Sequence, residues 1–166
     1  MSQRSDSISF LGADDVRELD ALLARFVADA RARCALLCDR TGRLLTAIGD
    51  AGDFDQTTFA SLAAGDFVAS DQLAAHLGER EFASLYHHGR RHSMFLADVG
   101  GSVILAVLFD QRTTLGMVRV RTRQVVPACA ALFEQLRTRG PRGNLMHLES
   151  GWAAEAESEI DRLFKD

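Results

Sequence analysis

The residues of this 166-residue chain that could do chemistry are few and scattered. "YHHGRRH" holds His87, His88 and His92. On a strand, adjacent side chains point to opposite faces, so His87 and His88 cannot easily share one metal ion, and no cysteine or carboxylate cluster stands beside them. In "RCALLCD", Cys34 and Cys38 lie four residues apart. As strand residues they share a face but stand roughly 13 Å apart, beyond the reach of a disulfide. With Cys129 they read as buried apolar thiols of a reducing cytosol. No Ser, His and Asp arrangement stands out. G-x-x-x-x-G-K-[ST] is absent, so the usual phosphate cradle is missing. The expectation is a chain with no catalytic, metal-binding or cofactor-binding residues of its own.

The totals agree with a single domain bearing tails. The apolar fraction is 47%, enough for one sizeable core, and the net charge of −4 gives no general affinity for nucleic acid. No apolar run approaches the roughly 18 residues of a transmembrane helix. "MSQRSDSISFLGADD" lacks the apolar core of a secretory signal; residues 1–13 read as a mobile polar arm. A cytoplasmic location follows by default.

The elements are legible from periodicity. In "DDVRELDALLARFVADA", Val16, Leu19, Leu23, Phe26 and Ala30 recur at three and four, the pattern of an amphipathic helix. Two apolar runs flank "DRTG", where Asp39 opens and Gly42 closes a type I hairpin turn. "FDQTTFASLAAGDFVASDQLAAHLG" predicts a second helix, with Phe59, Leu62, Leu73 and Leu77 toward a core and Gly78 as its stop. Its middle is poor in bulk: Ala60, Ala63, Ala64, Gly65 and Ala69 would allow close approach by its own sheet or by another backbone. "FASLYHHG", "HSMFLADVG" and "SVILAVLFD" predict three strands. Gly100 and Gly101 supply a tight turn between the last two, and the final strand, apolar on both faces, is expected to be central. "QRTTLGMVRVRTRQVVPACAALFEQLRTR" is ambiguous. "MVRVRT" alternates like a strand, and Gly116 and Pro127 oppose an undisturbed helix. Leu115, Val118, Val125, Cys129, Leu132 and Leu136 nonetheless keep helical spacing, with Thr113 or Thr114 as a cap. Helices in this order against an antiparallel sheet predict an α+β layered domain over residues 14–139.

Several stretches resemble the roadblock-type family, that of the dynein light-chain roadblock proteins and their bacterial relatives, most of all its MglB members. "ASLAAGDFVASDQLAAHLGEREF" is similar to the family's second helix and the step after it. "VILAVLFDQRTTLGMVRVR" is similar to its last strand and the start of its last helix. The end, "ESEIDRLFKD", resembles the acidic tail of some members. Pro127 departs from the pattern and implies a kink. The resemblance implies a roadblock-like three-layer sandwich in the order αββαβββα, with a five-stranded antiparallel sheet and an additional C-terminal amphipathic tail helix.

It also implies a homodimer in which second helices pack antiparallel and sheets join edge to edge. The paired helices would offer a platform for a small Ras-like GTPase of the MglA type in cell polarity or motility, with concentration at a cell pole as a further expectation. Ala64, Gly65, Val68 and Gln72 are the expected GTPase-binding residues. GTP and Mg²⁺ would be held by the GTPase and not by this chain. Activation by an inserted arginine would draw on Arg119, Arg121 or Arg123; the resemblance instead implies remodelling of the GTPase's switch loops. A roadblock-type adaptor without an effect on hydrolysis, and a small-ligand sensor, are the alternative functions.

Residues 140–151 read as a flexible linker and 152–166 as an amphipathic tail. Burying Ile160, Leu163 and Phe164 gives roughly 5–8 kcal/mol gross. Ordering about eight residues costs roughly 8–16 kcal/mol, so the segment is expected to fold only on contact. It could dock on the GTPase, cover its own domain, or bind another protein such as a polarity scaffold.

Overall fold

The computed structural model describes residues 11–139. Helix α1 (Ala13–Ala30) starts where Asp15 turns back to accept the Gly12 N–H at 3.0 Å. It buries Leu19, Leu23, Phe26 and Ala30, with Val16 half-buried at its start. It ends at Arg31, which is left-handed (φ 53°) and lets the Arg31 and Ala32 amides return to Ala28 and Val27.

Strands β1 (Cys34–Asp39) and β2 (Leu44–Gly49) form the expected hairpin. The Gly42 amide closes on the Asp39 carbonyl at 3.0 Å, and Gly42 takes φ 92°. The Asp39 carboxylate holds the turn by accepting from the Thr41 and Arg43 amides. Helix α2 (Gln56–His76) is capped by Asp55, which accepts from the Thr57 amide. It stops at Gly78 (φ 79°): the Gly78 and Glu79 amides return to Ala75 and Ala74 in a Schellman closure.

Strands β3 (Ser84–His88), β4 (Ser93–Val99) and β5 (Val103–Phe109) follow as a meander, with Gly100 and Gly101 both at positive φ between the last two. The sheet order is β2-β1-β5-β4-β3, every pair antiparallel, so the doubly apolar β5 is central. Helix α3 (Leu115–Arg139) completes the chain of described elements. The strand-like alternation of "MVRVRT" is therefore overruled. Thr114 caps the helix through the Met117 amide at 3.2 Å. Gly116 falls in the first turn, where its cost is least, and the helix continues through Pro127. Val118, Thr122, Val125, Cys129 and Leu132 are its buried face.

Two cores lie on the two sides of the sheet. Side chains alternate along each strand, so Ala35, Leu37, Phe95, Leu105 and Val107 meet α1 and α3, while Cys34, Leu36, Cys38, Leu96, Ile104 and Ala106 meet α2. The result is a three-layer sandwich of two helices, five strands and one helix.

Candidate functional site

Helix α2 inverts the expectation for its large side chains. It buries Ala60, Ala63, Ala64, Phe67, Ser70 and Ala74 against β1, β2 and β5. Leu62, Leu73 and Leu77, expected inside, are 69%, 62% and 73% exposed. Phe59 alone of that set is half-buried, packed against the α2-side core and against the Phe54 ring at 4.8 Å. The cause is steric. Small residues on the inner side let the helix lie close to a sheet surface that is itself made partly of small residues, Cys34, Cys38 and Ala106. The leucines are thus displaced to the outside.

The four residues expected to contact a partner are divided by this arrangement. Gly65, Val68 and Gln72 are exposed on the outer side of α2. Ala64 is not: it is buried in the core beneath the helix, which corrects its assignment to a contact surface. Gly65 is the most informative of them. It sits mid-helix, where glycine costs about 0.5–1 kcal/mol relative to alanine. A Cβ placed there would meet nothing within 4 Å. Nothing within the described chain therefore requires a glycine at this position.

The outer leucines continue toward an open sheet edge. Strand β3 pairs with β4 alone and leaves its other backbone edge unpaired among the described strands. His87 of β3 bonds Asp66 of α2 at 2.6 Å. Asp66 follows Leu62 by one helical turn, so the exposed flank of α2 and the free β3 edge adjoin. His88 points the other way, toward Ser93 and Tyr86, as alternation along a strand requires. Among the described residues no group of three metal-ligating side chains is present.

The helix is fixed in place by a polar pin. Arg40, just past β1, bonds Asp71 of α2 at 2.5 Å and Asp98 of β4 at 2.8 Å, and its guanidinium lies 5.4 Å from the centre of the Phe67 ring. Burial opposes its charge, but the bonds to Asp71 and Asp98 outweigh that and hold the guanidinium above its ordinary range. The three thiols are all buried and free. Desolvation raises them, to about 11 for Cys34 and Cys129 and about 12 for Cys38, so they are poor nucleophiles near neutrality. Arg119, Arg121 and Arg123 lie along α3, on the other side of the sheet from α2. The sheet therefore separates the outer α2 surface from the arginines that an insertion mechanism would need. Ile160, Leu163 and Phe164 lie outside the described residues.

Sequence reasoning missed the exposed leucines as a surface. The signal that could have found them is the spacing of Leu62 and Leu73, three turns apart on one side of a helix whose opposite side is also apolar.

Known proteins share this fold. The Roadblock/LC7 domain model matches residues 18–109, more than half of the chain. Myxococcus xanthus MglB is 36% identical, with a TM-score of 0.68, over 71% of this chain and 96% of that one. The MglB of Thermus thermophilus, described as a gliding protein, is 29% identical at a TM-score of 0.68, over 75% and 94%. An MglB with a tetrameric arrangement is 27% identical at a TM-score of 0.72, over 76% and 95%. No curated protein matches the chain.

Proposed function

We propose that this chain, which belongs to the Roadblock/LC7 family and is MglB-like within it, acts as a homodimeric activator of a small Ras-like GTPase. Roadblock-type proteins are regulators, and the fold here is theirs. The observation that carries the finer reading is the outer side of α2: exposed Leu62, Leu73 and Leu77, an open Gly65, and a free β3 edge beside them. Solvent exposure of these leucines is unfavourable, and a mid-helix glycine is costly. Both costs are offset if a second copy lies antiparallel across α2 while the two β3 strands extend one sheet into the other.

The paired helices then form a platform of low relief with Gly65, Val68 and Gln72 on it. Such a platform supplies no reactive group. It acts by binding one conformation of the GTPase switch loops more tightly than the others, and the rate gain is bounded by that difference in affinity. GTP and Mg²⁺ stay with the GTPase, of the MglA type in this reading. The tail residues Ile160, Leu163 and Phe164 add a tethered second contact to the same GTPase, raising its effective concentration at the platform.

The test is a phosphate-release assay with an MglA-type GTPase, run beside a binding measurement in the GTP and GDP forms. Activation predicts tighter binding to the GTP form and faster release. Binding with an unchanged rate would replace this reading by an adaptor function, and no binding would remove both.

A further inference from the structure

The opposite side of the sheet carries a groove that the platform does not use. It lies between α3 and the β3–β4 strands and encloses about 460 Å³. Its floor is apolar, built from Phe95, Ala97 and Val126. Arg119 and Arg123 stand at its wall, one helical turn apart. Among the described residues neither has a carboxylate partner, so two like charges face each other across one turn, an unfavourable arrangement when left alone. Thr122 lies between them in sequence and also lines the groove. It is 5% exposed, and among the described residues its hydroxyl has no hydrogen-bond partner. Pro127, on the same wall, has no N–H to give the Arg123 carbonyl. Buried polar groups without partners are uncommon and call for an occupant that supplies them.

We propose that the occupant is the chain's own segment from Glu155 to Phe164. Its composition complements the groove. Glu155 and Glu159 are four residues apart, the spacing of Arg119 and Arg123, and Glu157 and Asp161 add further negative charge. Ile160, Leu163 and Phe164 supply apolar anchors for the floor. The connection is long enough. Helix α3 carries the chain roughly 24 Å from Arg123 to Arg139. The residues between Arg139 and Glu155 can span roughly 50 Å when extended, so the segment reaches back with slack. The groove and the outer side of α2 are on different sides of the sheet, so occupancy leaves the α2 platform open. It does withhold Ile160, Leu163 and Phe164 from any other partner: those side chains serve either the groove or an external protein at one time, and a rival binder must displace them.

Paramagnetic relaxation in the full-length protein tests this. A nitroxide on Glu81→Cys, an exposed site close to Ala83 of the groove, is selective because the native thiols are buried. The expected result is loss of amide intensity at Ile160, Leu163 and Phe164, and recovery when Arg119→Glu and Arg123→Glu are combined with the label. Both arginines are exposed, and an unchanged far-UV circular dichroism spectrum confirms that the double variant is folded. Intensities untouched by the nitroxide would overturn the proposal, as would broadening that survives charge reversal. A mixed sample, with isotope on one chain and nitroxide on another, reports only contacts between copies: absence of broadening there is the expected result, and broadening there would assign the segment to a neighbouring protomer and overturn occupancy by its own chain.

Discussion

Leu73→Ala separates the two sides of α2 most cleanly. Full burial of a leucine side chain is worth about 2 kcal/mol. Leu73 is 62% exposed in one protomer, so covering its open part contributes about 1.2 kcal/mol per copy and about 2.5 kcal/mol per symmetric dimer. Its loss should weaken dimerisation roughly 60-fold. Leu62, at 69% exposed, predicts a similar factor, and the two together a product close to the square of either if the sites are independent. The stability of the protomer should hardly move, because exposed positions without special roles change it by about 0.5 kcal/mol or less. Phe67→Ala, one side chain of the same helix pointing inward, is the contrast: it is 1% exposed, and its loss should cost about 3–5 kcal/mol of folding stability. Sedimentation equilibrium across a concentration series gives the dimer constant, and urea unfolding at low concentration gives the stability of the protomer. An unchanged dimer constant in Leu73→Ala, or a loss of folding stability as large as that of Phe67→Ala, would refute the assignment of the α2 faces to partner and core.

Other substitutions test neighbouring parts of the structure. Gly65→Ala should raise protomer stability by about 0.5–1 kcal/mol while weakening self-association, a pair of opposite signs measured by thermal melting and sedimentation. Gly49→Ala should be severely destabilising, because φ is 102° and a Cβ would lie 2.3 Å from the Arg33 carbonyl oxygen; little soluble protein is expected on expression. Arg40→Ala should cost about 2 kcal/mol in urea unfolding, since it leaves Asp71 and Asp98 facing one another partly buried. The thiols set an alkaline limit. Folded values of about 11 to 12 exceed the ordinary 9.0, so their contribution is complete below pH 9 and is lost as pH rises, because the unfolded chain ionises first. The slope should be roughly 1.4 kcal/mol per pH unit for each thiol, and Cys38→Ala should make the urea midpoint fall less steeply between about pH 9 and pH 11.

Local rules determined most of the architecture from sequence. Turns at Gly42 and at Gly100–Gly101 and the stop at Gly78 each depend on a few adjacent residues, and each appears where its chemistry demands; of the two threonines that could cap α3, the structure uses Thr114. The burial of α1 followed from one apolar stripe on an otherwise charged helix, and the central place of β5 from apolar residues on both of its sides. The start of α3 was less clear, because alternation over six residues imitates a strand when the helix has arginines at every second position; only packing of Val118, Thr122 and Val125 against the sheet decided it. Helix α2 shows the limit. It is apolar nearly all round, so its linear pattern carries no preferred inward direction, and choosing the largest side chains for the core put Leu62, Leu73 and Leu77 on the wrong side. Tertiary structure decided that question through distance: with Cys34, Cys38 and Ala106 among the residues of the sheet surface, the helix lies close on the side of Ala60, Ala63, Ala64 and Ala74, with Phe67 its one large inward side chain, and the leucines are left for whatever meets the protein from outside.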